Sequence, residues 1–211
     1  MEIKKELLEK MFDFHGHKCW ASTLGFRAGL IALRGLGAQR IGSRGLYAIV
    51  ETGYFHGAVC FLDGLQYATG CTVGKAGLIW KPRGKLAFTL VDPKKGKQIR
   101  IAYKFNPEIR EKIAQTSFMK KRAQGISPDQ IPEEEAWEAV KIVLEAPEEE
   151  IFIIGELEDS TFEPPEEVLG AQPCEICGEW VSIPYLRVLG NKKVCIDCAG
   201  YEEGFEKIFE K

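Results

Sequence analysis

Seven cysteines and three histidines carry most of the chemistry available to this 211-residue chain. Thiolate and imidazole groups are the usual protein ligands of transition metals, and a thiolate beside an imidazole is also a common nucleophile pair. Four of the cysteines form two C-x-x-C pairs near the C-terminus, whereas the other three and all the histidines lie in the first third of the chain. We therefore expect two separate sites of chemistry.

The two C-x-x-C pairs have the spacing of a four-thiolate zinc site, because 17 residues separate them. Each pair turns the backbone so that two sulfurs face one ion, and Zn²⁺ binds four thiolates tetrahedrally. Two redox dithiols or an iron–sulfur centre are the alternatives, but a redox motif does not require two pairs. Since four protein ligands leave no open position, we expect a structural zinc site. Its ligands would be Cys174, Cys177, Cys195 and Cys198.

The N-terminal group begins with His15, His17 and Cys19, which occupy alternate positions. In an extended segment alternate side chains face the same way, so these three could converge on one point. Taken singly, a histidine is commonly a hydrogen-bonded structural residue and a buried cysteine a small apolar filler. The group as a whole favours a functional site, because a second segment supplies further candidates. These are Cys60, Asp63 and Cys71.

Two segments rich in small residues are predicted to hold this N-terminal group. The hydrophobic spacing predicts a helix over residues 2–12, followed by a buried helix over about 18–36 and a second small-residue helix over 58–69. Glycine inside a helix costs about 1 kcal/mol relative to alanine, so Gly25 and Gly29 need a packing reason. We expect this helix to pack closely against a sheet or a second copy of itself.

The remaining pattern predicts an α+β core domain in which helices pack on a mostly antiparallel sheet. Two β-rich runs flank residues 92–97, whose turn-forming sequence DPKKGK indicates a hairpin. The predicted strands cover residues 45–51, 86–91, 99–103 and 151–154. The predicted later helices cover residues 106–124 and 132–146.

We expect three parts along the chain: a core domain over residues 1–157, a linker over 158–172 and a zinc finger over 173–211. The linker segment contains two prolines and five acidic residues with no base. The last 39 residues are too few to be stabilised by apolar burial alone. Within them, a hairpin (residues 181–189 followed by Gly190-Asn191) and a helix from Cys198 onward give the order of a treble-clef finger.

The charge balance argues against a nucleic-acid coat protein. The chain has 28 basic and 31 acidic residues, a net charge of −3, and the finger contains seven acids and five bases. Residues 70–76 resemble a phosphate-binding loop, but the spacing is one residue short and Ala76 stands where a hydroxyl must bind magnesium.

The expected compartment is the cytoplasm. No apolar run of about 18 residues suggests a membrane span, and the N-terminal residues do not suggest a secretory signal. An odd cysteine count is typical of a reducing compartment.

Residues 14–19 (FHGHKC), residues 60–75 (CFLDGLQYATGCTVGK) and the terminal four-cysteine knuckle together resemble the FmdE family, which takes its name from formylmethanofuran dehydrogenase. The resemblance covers nearly the whole chain in order. It implies an α+β core that forms homodimers, a C-terminal treble-clef zinc finger and a metal-binding cleft built from histidines and cysteines of the core.

The resemblance also implies a set of core ligands. His17 and Cys19 match the family's His-x-Cys, Cys60 matches the cysteine before the Asp-x-x-Gln segment, and Cys71 matches the cysteine of Gly-Cys-Thr-x-Gly-Lys. We expect a core metal site of His17, Cys19 and Cys60, with Cys71 as a further candidate ligand. Candidates for an additional ligand, an acid–base group or a supporting residue are His15, His56 and Asp63. The chain departs from the family at Trp20-Ala21, where members commonly have Pro-Gly.

The leading hypothesis from the sequence is a metal-binding protein of one-carbon, formylmethanofuran-linked metabolism. It would hold structural Zn²⁺ in the finger and a second transition metal, zinc, nickel or iron, in the core. An open coordination position there would permit Lewis-acid or redox chemistry. The alternative is a non-catalytic dimeric adaptor whose finger recruits a protein partner, or, against the charge balance, a nucleic acid.

Overall fold

The computed structural model describes residues 3, 5–166 and 169–200. The chain divides into two compact units, Met1–Pro164 and Pro165–Lys211. The helices are α1 Lys5–His15, α2 Trp20–Gly35, α3 His56–Thr69, α4 Pro107–Gln115, α5 Ser117–Ala123, α6 Glu133–Glu145, α7 Glu148–Ile151 and α8 Ile196–Ala199. Within the described ranges, no helix is both long and apolar enough to cross a bilayer.

Ten strands complete the described elements. They are β1 Tyr47–Val50, β2 Leu78–Trp80, β3 Ala87–Asp92, β4 Lys97–Tyr103, β5 Phe152–Ile154, β6 Glu158–Asp159, β7 Ala171–Pro173, β8 Trp180–Ser182, β9 Arg187–Leu189 and β10 Lys192–Val194. Short 3-10 turns cover Val73–Lys75, Pro128–Gln130 and Ile183–Tyr185.

The first unit is built on one six-stranded sheet. Its order is β2-β1-β3-β4-β5, and β6 also pairs with β4. β1 and β2 are parallel, whereas the other neighbouring pairs are antiparallel. The predicted hairpin is confirmed as β3 and β4, which pair from Ala87↔Ala102 to Asp92↔Lys97. The prediction of a mostly antiparallel α+β core is therefore confirmed.

Close packing of α2 against α3 explains the small residues in both helices. A Cβ atom at Gly25 would lie 1.8 Å from the backbone oxygen of Phe61, and one at Gly64 would lie 1.8 Å from that of Ser22. Only glycine permits this approach, so the glycines that weaken each helix allow the pair to form. The packing partner of α2 is thus a helix of the same chain.

The paired helices cover the sheet through a fully buried apolar layer. Leu24 on α2 and Phe61 on α3 pack into one cluster with Phe88 on β3, and the rings of Phe61 and Phe88 lie 6.3 Å apart. The alternation along β3 and β4 directs one face of each strand into this layer. The core therefore fixes the helix pair relative to the sheet.

The helix predicted over residues 106–124 is two helices. Asn106 caps α4, since its side-chain oxygen accepts from the backbone N–H groups of Glu108 and Ile109 at 3.0 and 3.2 Å. α4 ends at Thr116, whose hydroxyl accepts from the N–H of Met119 and so begins α5. The break lets α4 and α5 take different directions around the site described below.

The second unit consists of two short sheets and α8. β7 pairs with β8, and β9 pairs with β10 across the predicted turn at Gly190-Asn191. The helix predicted from Cys198 begins at Ile196, and its continuation over 201–211 lies outside the described residues. The segment predicted as a linker, 158–172, has β6 paired in the core sheet near one end and begins β7 at the other.

Candidate metal centre

Three side chains of the core converge from three different elements. His15 is the last residue of α1, Cys19 is the N-cap of α2, and Cys60 lies in α3. One ligand atom from each lies within 4.8 Å of the others. Both cysteines are buried, and the His15 side chain is 5% exposed. The geometry is that of a site for one ion.

The two ring nitrogens of His15 have different surroundings. Nδ1 donates a hydrogen bond to the Asp63 carboxylate at 2.8 Å, whereas the buried Nε2 has no hydrogen-bond partner among the described residues. Metal-binding histidines usually donate one ring N–H to a carboxylate, which fixes the tautomer and leaves the other nitrogen for the ion. His15 is therefore oriented as such a ligand, and Asp63 is its orienting partner.

The same contacts shift the protonation of the group. The hydrogen bond from Cys60, with the nearby imidazoles of His15 and His17, lowers the pKa of Cys19 well below its usual value. The shared hydrogen bond with Cys19 raises the pKa of Cys60. Burial lowers the pKa of His15, but Asp63 and Cys19 outweigh it and raise that pKa to about 9. The arrangement thus favours a thiolate at Cys19.

His17 does not take the position that the sequence assigned to it. The group within 4.8 Å contains His15 with Cys19 and Cys60, and His17 lies beside it with its ring 4.5 Å from that of His15. The alternation argument assumed an extended segment, whereas α1 continues through His15 and the chain turns at Gly16 with φ of +94°. The structure therefore selects His15 for this group.

Cys71 also lies away from the group. It is fully buried in the apolar layer between the helices and the sheet, and burial raises its pKa to about 11. The chain leaves α3 through Gly70, whose φ of +77° turns the next residue into the core. The geometry of the described residues gives Cys71 the surroundings of a packing residue.

Lys18 fixes the loop between α1 and α2, a role that its sequence pattern did not indicate. Its ammonium donates to Glu9 at 2.9 Å, pairs with Glu133 at the start of α6 and lies 5.3 Å from the centre of the Trp137 ring. The carbonyl of Cys19 accepts from the hydroxyls of Ser22 and Thr23. These contacts hold the backbone that carries Cys19.

A cleft of about 510 Å³ opens beside the two cysteines. Cys19 and Cys60 contribute to its wall, together with His17 and the exposed His56 at the start of α3. Much of the remaining wall is apolar or aromatic. It includes Trp20, Leu24, Phe55, Leu86, Tyr103, Phe105, Phe118 and Met119. A small molecule in this cleft would lie beside the thiol group.

The second unit brings its four cysteines together as predicted. The sulfurs of Cys174, Cys177, Cys195 and Cys198 all lie within 4.8 Å of one another. Burial raises the pKa of Cys174, but backbone N–H groups, including those of Cys195 and Ile176, outweigh it and lower the pKa to about 6. Gly178, at φ of +79°, makes the knuckle after the first pair.

Comparison with known proteins assigns both parts of the chain. Residues 14–153 match the family described as "FmdE, Molybdenum formylmethanofuran dehydrogenase operon". The chain belongs to the FmdE family. Residues 169–204 match the prokaryotic dksA/traR C4-type zinc finger, so the four-cysteine group is a zinc finger and this FmdE-family member is a metal-binding protein.

A relative and a solved structure extend this assignment. The FmdE-family chain is 34% identical, over 206 residues, to a probable S-adenosyl-L-methionine-binding protein of Archaeoglobus fulgidus. The match covers 92% of this chain but only 52% of that relative, so the chain spans about half its length. A crystal structure of an FmdE-like protein, of the tungsten formylmethanofuran dehydrogenase type, from Syntrophus aciditrophicus matches with a TM-score of 0.51 and 21% identity, covering 93% of this chain and 91% of that one. This likeness supports the fold.

Proposed function

We propose that the core binds a transition metal ion through His15 Nε2 and the sulfurs of Cys19 and Cys60, and that it acts there on a small organic ligand held in the cleft. The observation that carries the proposal is the buried Nε2 of His15, which faces no hydrogen-bond partner among the described residues while Asp63 holds the other nitrogen. An orphaned buried nitrogen is costly, and an ion bound beside two thiols would remove that cost.

The donor set fits such an ion. One imidazole and two thiolates suit zinc, nickel or iron, and three protein ligands leave a position for water or a ligand, as in catalytic sites. When bound, the ion would supply Lewis-acid or redox chemistry. Asp63 would orient His15, and the imidazoles of His17 and His56 on the cleft wall could exchange a proton with a bound molecule.

The family description gives this activity a context. Its reference to the formylmethanofuran dehydrogenase operon leads us to propose a ligand from one-carbon metabolism, a cytoplasmic location and a homodimer as the working form. The side chain of Trp20 on the cleft wall, where the family commonly has proline, would narrow the space available to that ligand.

Metal analysis of the full chain after anaerobic purification tests the proposal. We expect two metal ions per chain in the unchanged protein and one in Cys19→Ser. The matched control is Cys198→Ser, which should lose the finger zinc and keep the core ion. Equal metal content in the unchanged protein and Cys19→Ser would refute the core site.

The name of the Archaeoglobus relative makes S-adenosyl-L-methionine a compound to test in the same samples. Its carboxylate suits the basic cleft, whereas its sulfonium would meet no Asp or Glu among the described residues of the wall. Saturable binding that Cys60→Ser or His17→Ala weakens would identify it as the cleft ligand. Binding that neither variant changes would exclude the cleft as its site.

A second function is favoured by the surface of the finger. Ile176, Trp180 and Val188 are exposed by 52%, 74% and 73%, and exposed apolar side chains are common at protein contacts. In this adaptor role the finger recruits a protein partner. The role requires partner binding to survive Cys19→Ser and to be lost in Cys174→Ser, whereas the metal-dependent role requires ligand turnover to show the opposite pattern.

A further inference from the structure

We infer that the cleft binds a planar organic carboxylate, with Arg110 as the residue that receives the carboxylate. The inference deepens the proposed function and rests on it for the location of the reacting end beside Cys19 and Cys60. It rests on a separate observation for the ligand, which is the charge and the unpaired guanidinium of the cleft wall.

The cleft is basic although the chain is acidic. Arg110 on α4 and Arg122 on α5 line it together with His17 and His56, and among the described residues that form the wall there is no Asp or Glu. The chain as a whole carries a net charge of −3. A concave site lined by one sign of charge concentrates ions of the opposite sign, so the wall favours an anion.

Arg110 is held in place with one donor unused. Its Nη1 is buried and has no hydrogen-bond partner in the described part of the chain, while its guanidinium carbon lies 5.4 Å from the centre of the Trp20 ring. A buried donor without an acceptor costs free energy, which a ligand oxygen would recover. The Asn106 cap on α4 and the indole of Trp20 therefore present a preorganised donor.

The donors available suit a carboxylate better than a phosphate. Arg122 donates its Nη1 to the carbonyl of Ile126 at 2.5 Å, so Arg110 offers the free edge. A guanidinium edge matches the two oxygens of one carboxylate, whereas a phosphate dianion has three oxygens and a larger hydration cost to replace.

The shape of the wall indicates a flat ligand body. Five aromatic side chains line a space of about 510 Å³, within the range of roughly 300–1,000 Å³ for small-molecule sites. Flat, unsaturated molecules stack on such rings in offset or edge-to-face arrangements. The five are Trp20, Phe55, Tyr103, Phe105 and Phe118.

Calorimetric titration of the full chain with benzoate tests this inference, with benzamide as the uncharged analogue. We expect benzoate to bind at millimolar concentration or below, and benzamide at least tenfold more weakly. Arg110→Gln should raise the Kd of benzoate by at least tenfold and leave that of benzamide unchanged. The control Arg83→Gln, on an exposed loop outside the cleft wall, should leave both unchanged.

Arg110→Lys provides a second variant if Arg110→Gln does not fold. It keeps the charge but loses the planar fork, so we expect a severalfold weaker benzoate affinity. Absence of benzoate binding, equal binding of benzamide, tighter binding of phenyl phosphate, or benzoate affinity unchanged in both Arg110 variants would each overturn the inference.

Metal content measured on the same samples separates the two proposals. Benzoate binding through Arg110 in a protein without a core ion would refute the proposed function and leave the carboxylate site standing. A loaded core with no benzoate binding would refute the carboxylate site alone.

Discussion

The two nitrogens of His15 carry the account at the scale of single residues. A histidine that only filled space would pair both nitrogens or expose one to water, whereas here Asp63 holds Nδ1 and Nε2 is buried beside two sulfurs. Metal binding to such a group releases protons from the thiols. The carboxylate therefore has a role that can be tested without removing a ligand.

We predict that Asp63→Asn weakens the core metal site without emptying the finger. An amide can still contact His15 but supplies no charge, and loss of such an outer partner typically reduces metal affinity by about 10–100-fold. Competition with a chromogenic chelator measures the two ions separately. The control is Asp13→Asn at an exposed position of α1, which should match the unchanged protein. An unaltered core affinity in Asp63→Asn would show that the carboxylate does not orient the ligand.

Residue types predicted the location of the candidate site, but not which histidine joins it. The pattern brought Cys19 and Cys60 together correctly because their two segments had to pack as small-residue helices. The choice between His15 and His17 depends on where α1 ends, and hydrophobic periodicity does not locate a helix end to one residue. The placement of Cys71 depends on a single left-handed glycine, Gly70.

At the scale of elements, the contact between α2 and α3 brings the two thiols together. Gly64 lies against the backbone oxygen of Ser22, three residues after Cys19. Any side chain at this position must push the start of α2 away from α3. The distance between Cys19 and Cys60 therefore depends on a residue that does not belong to the site.

We predict that Gly64→Ala lowers the free energy of unfolding by about 3 kcal/mol, the upper end for overpacking, because the added methyl meets backbone. The core ion should be lost and the finger zinc retained. The control Gly57→Ala lies in the same helix with open space around its Cβ and should be neutral or stabilising by up to about 1 kcal/mol. Thermal unfolding and metal analysis provide the readouts, and a stable, fully loaded Gly64→Ala would contradict the packing argument.

A buried ion pair fastens the sheet beneath these helices. Glu51 follows β1, and its carboxylate accepts from Arg100 on β4 at 2.7 and 3.0 Å, across the intervening β3. The hydrogen bond to Arg100 lowers the pKa of Glu51. A lowered pKa means that the pair contributes stability above the unfolded-state pKa of Glu and loses it as the pH falls through the folded-state pKa.

We predict that Glu51→Gln destabilises the protein at pH 7 by about 1–2 kcal/mol, a value reduced because Arg100 is partly exposed. The difference from the unchanged protein should shrink as the pH is lowered through the acidic range and be absent below the folded-state pKa of Glu51. Urea unfolding at a series of pH values measures it. The exposed Glu145→Gln serves as control. A difference that stays constant with pH would exclude the ion pair as its source.

The elements themselves were largely predictable where a local signal was strong. The turn at residues 92–97 predicted the β3–β4 hairpin, and the acidic start at Pro132 predicted α6. The parallel strand β2 was missed, since three residues carry no periodicity and its pairing with β1 is set by the tertiary fold. The break between α4 and α5 rests on the cap at Thr116, a signal present in the sequence but not used.

For the whole molecule, the division into two units gives the two metal sites separate roles. The finger has a small apolar cluster of Cys174, Val194 and Cys195 and depends on its ion, whereas the core has its own extensive apolar layer. The contrast between a basic cleft and an acidic chain was invisible in the overall composition, because it arises only when α4 and α5 meet α2.

We predict that Cys174→Ser unfolds the finger and leaves the core intact. Zinc binding supplies most of the folding free energy of a module this small, so a missing thiolate removes its structure. Amide hydrogen exchange should rise throughout residues 171–199 and stay unchanged in β3 and β4. Loss of protection in the core strands of this variant would show that the two units fold together.

The most direct test of the central claim is an anomalous-difference map of crystals of the full chain, measured at the iron, nickel and zinc edges. We predict two peaks per chain. One lies among the four finger sulfurs, and the other lies about 2.0–2.3 Å from His15 Nε2 and the sulfurs of Cys19 and Cys60. A single peak confined to the finger, or a core peak bound by His17 with His15 turned away, would contradict the account.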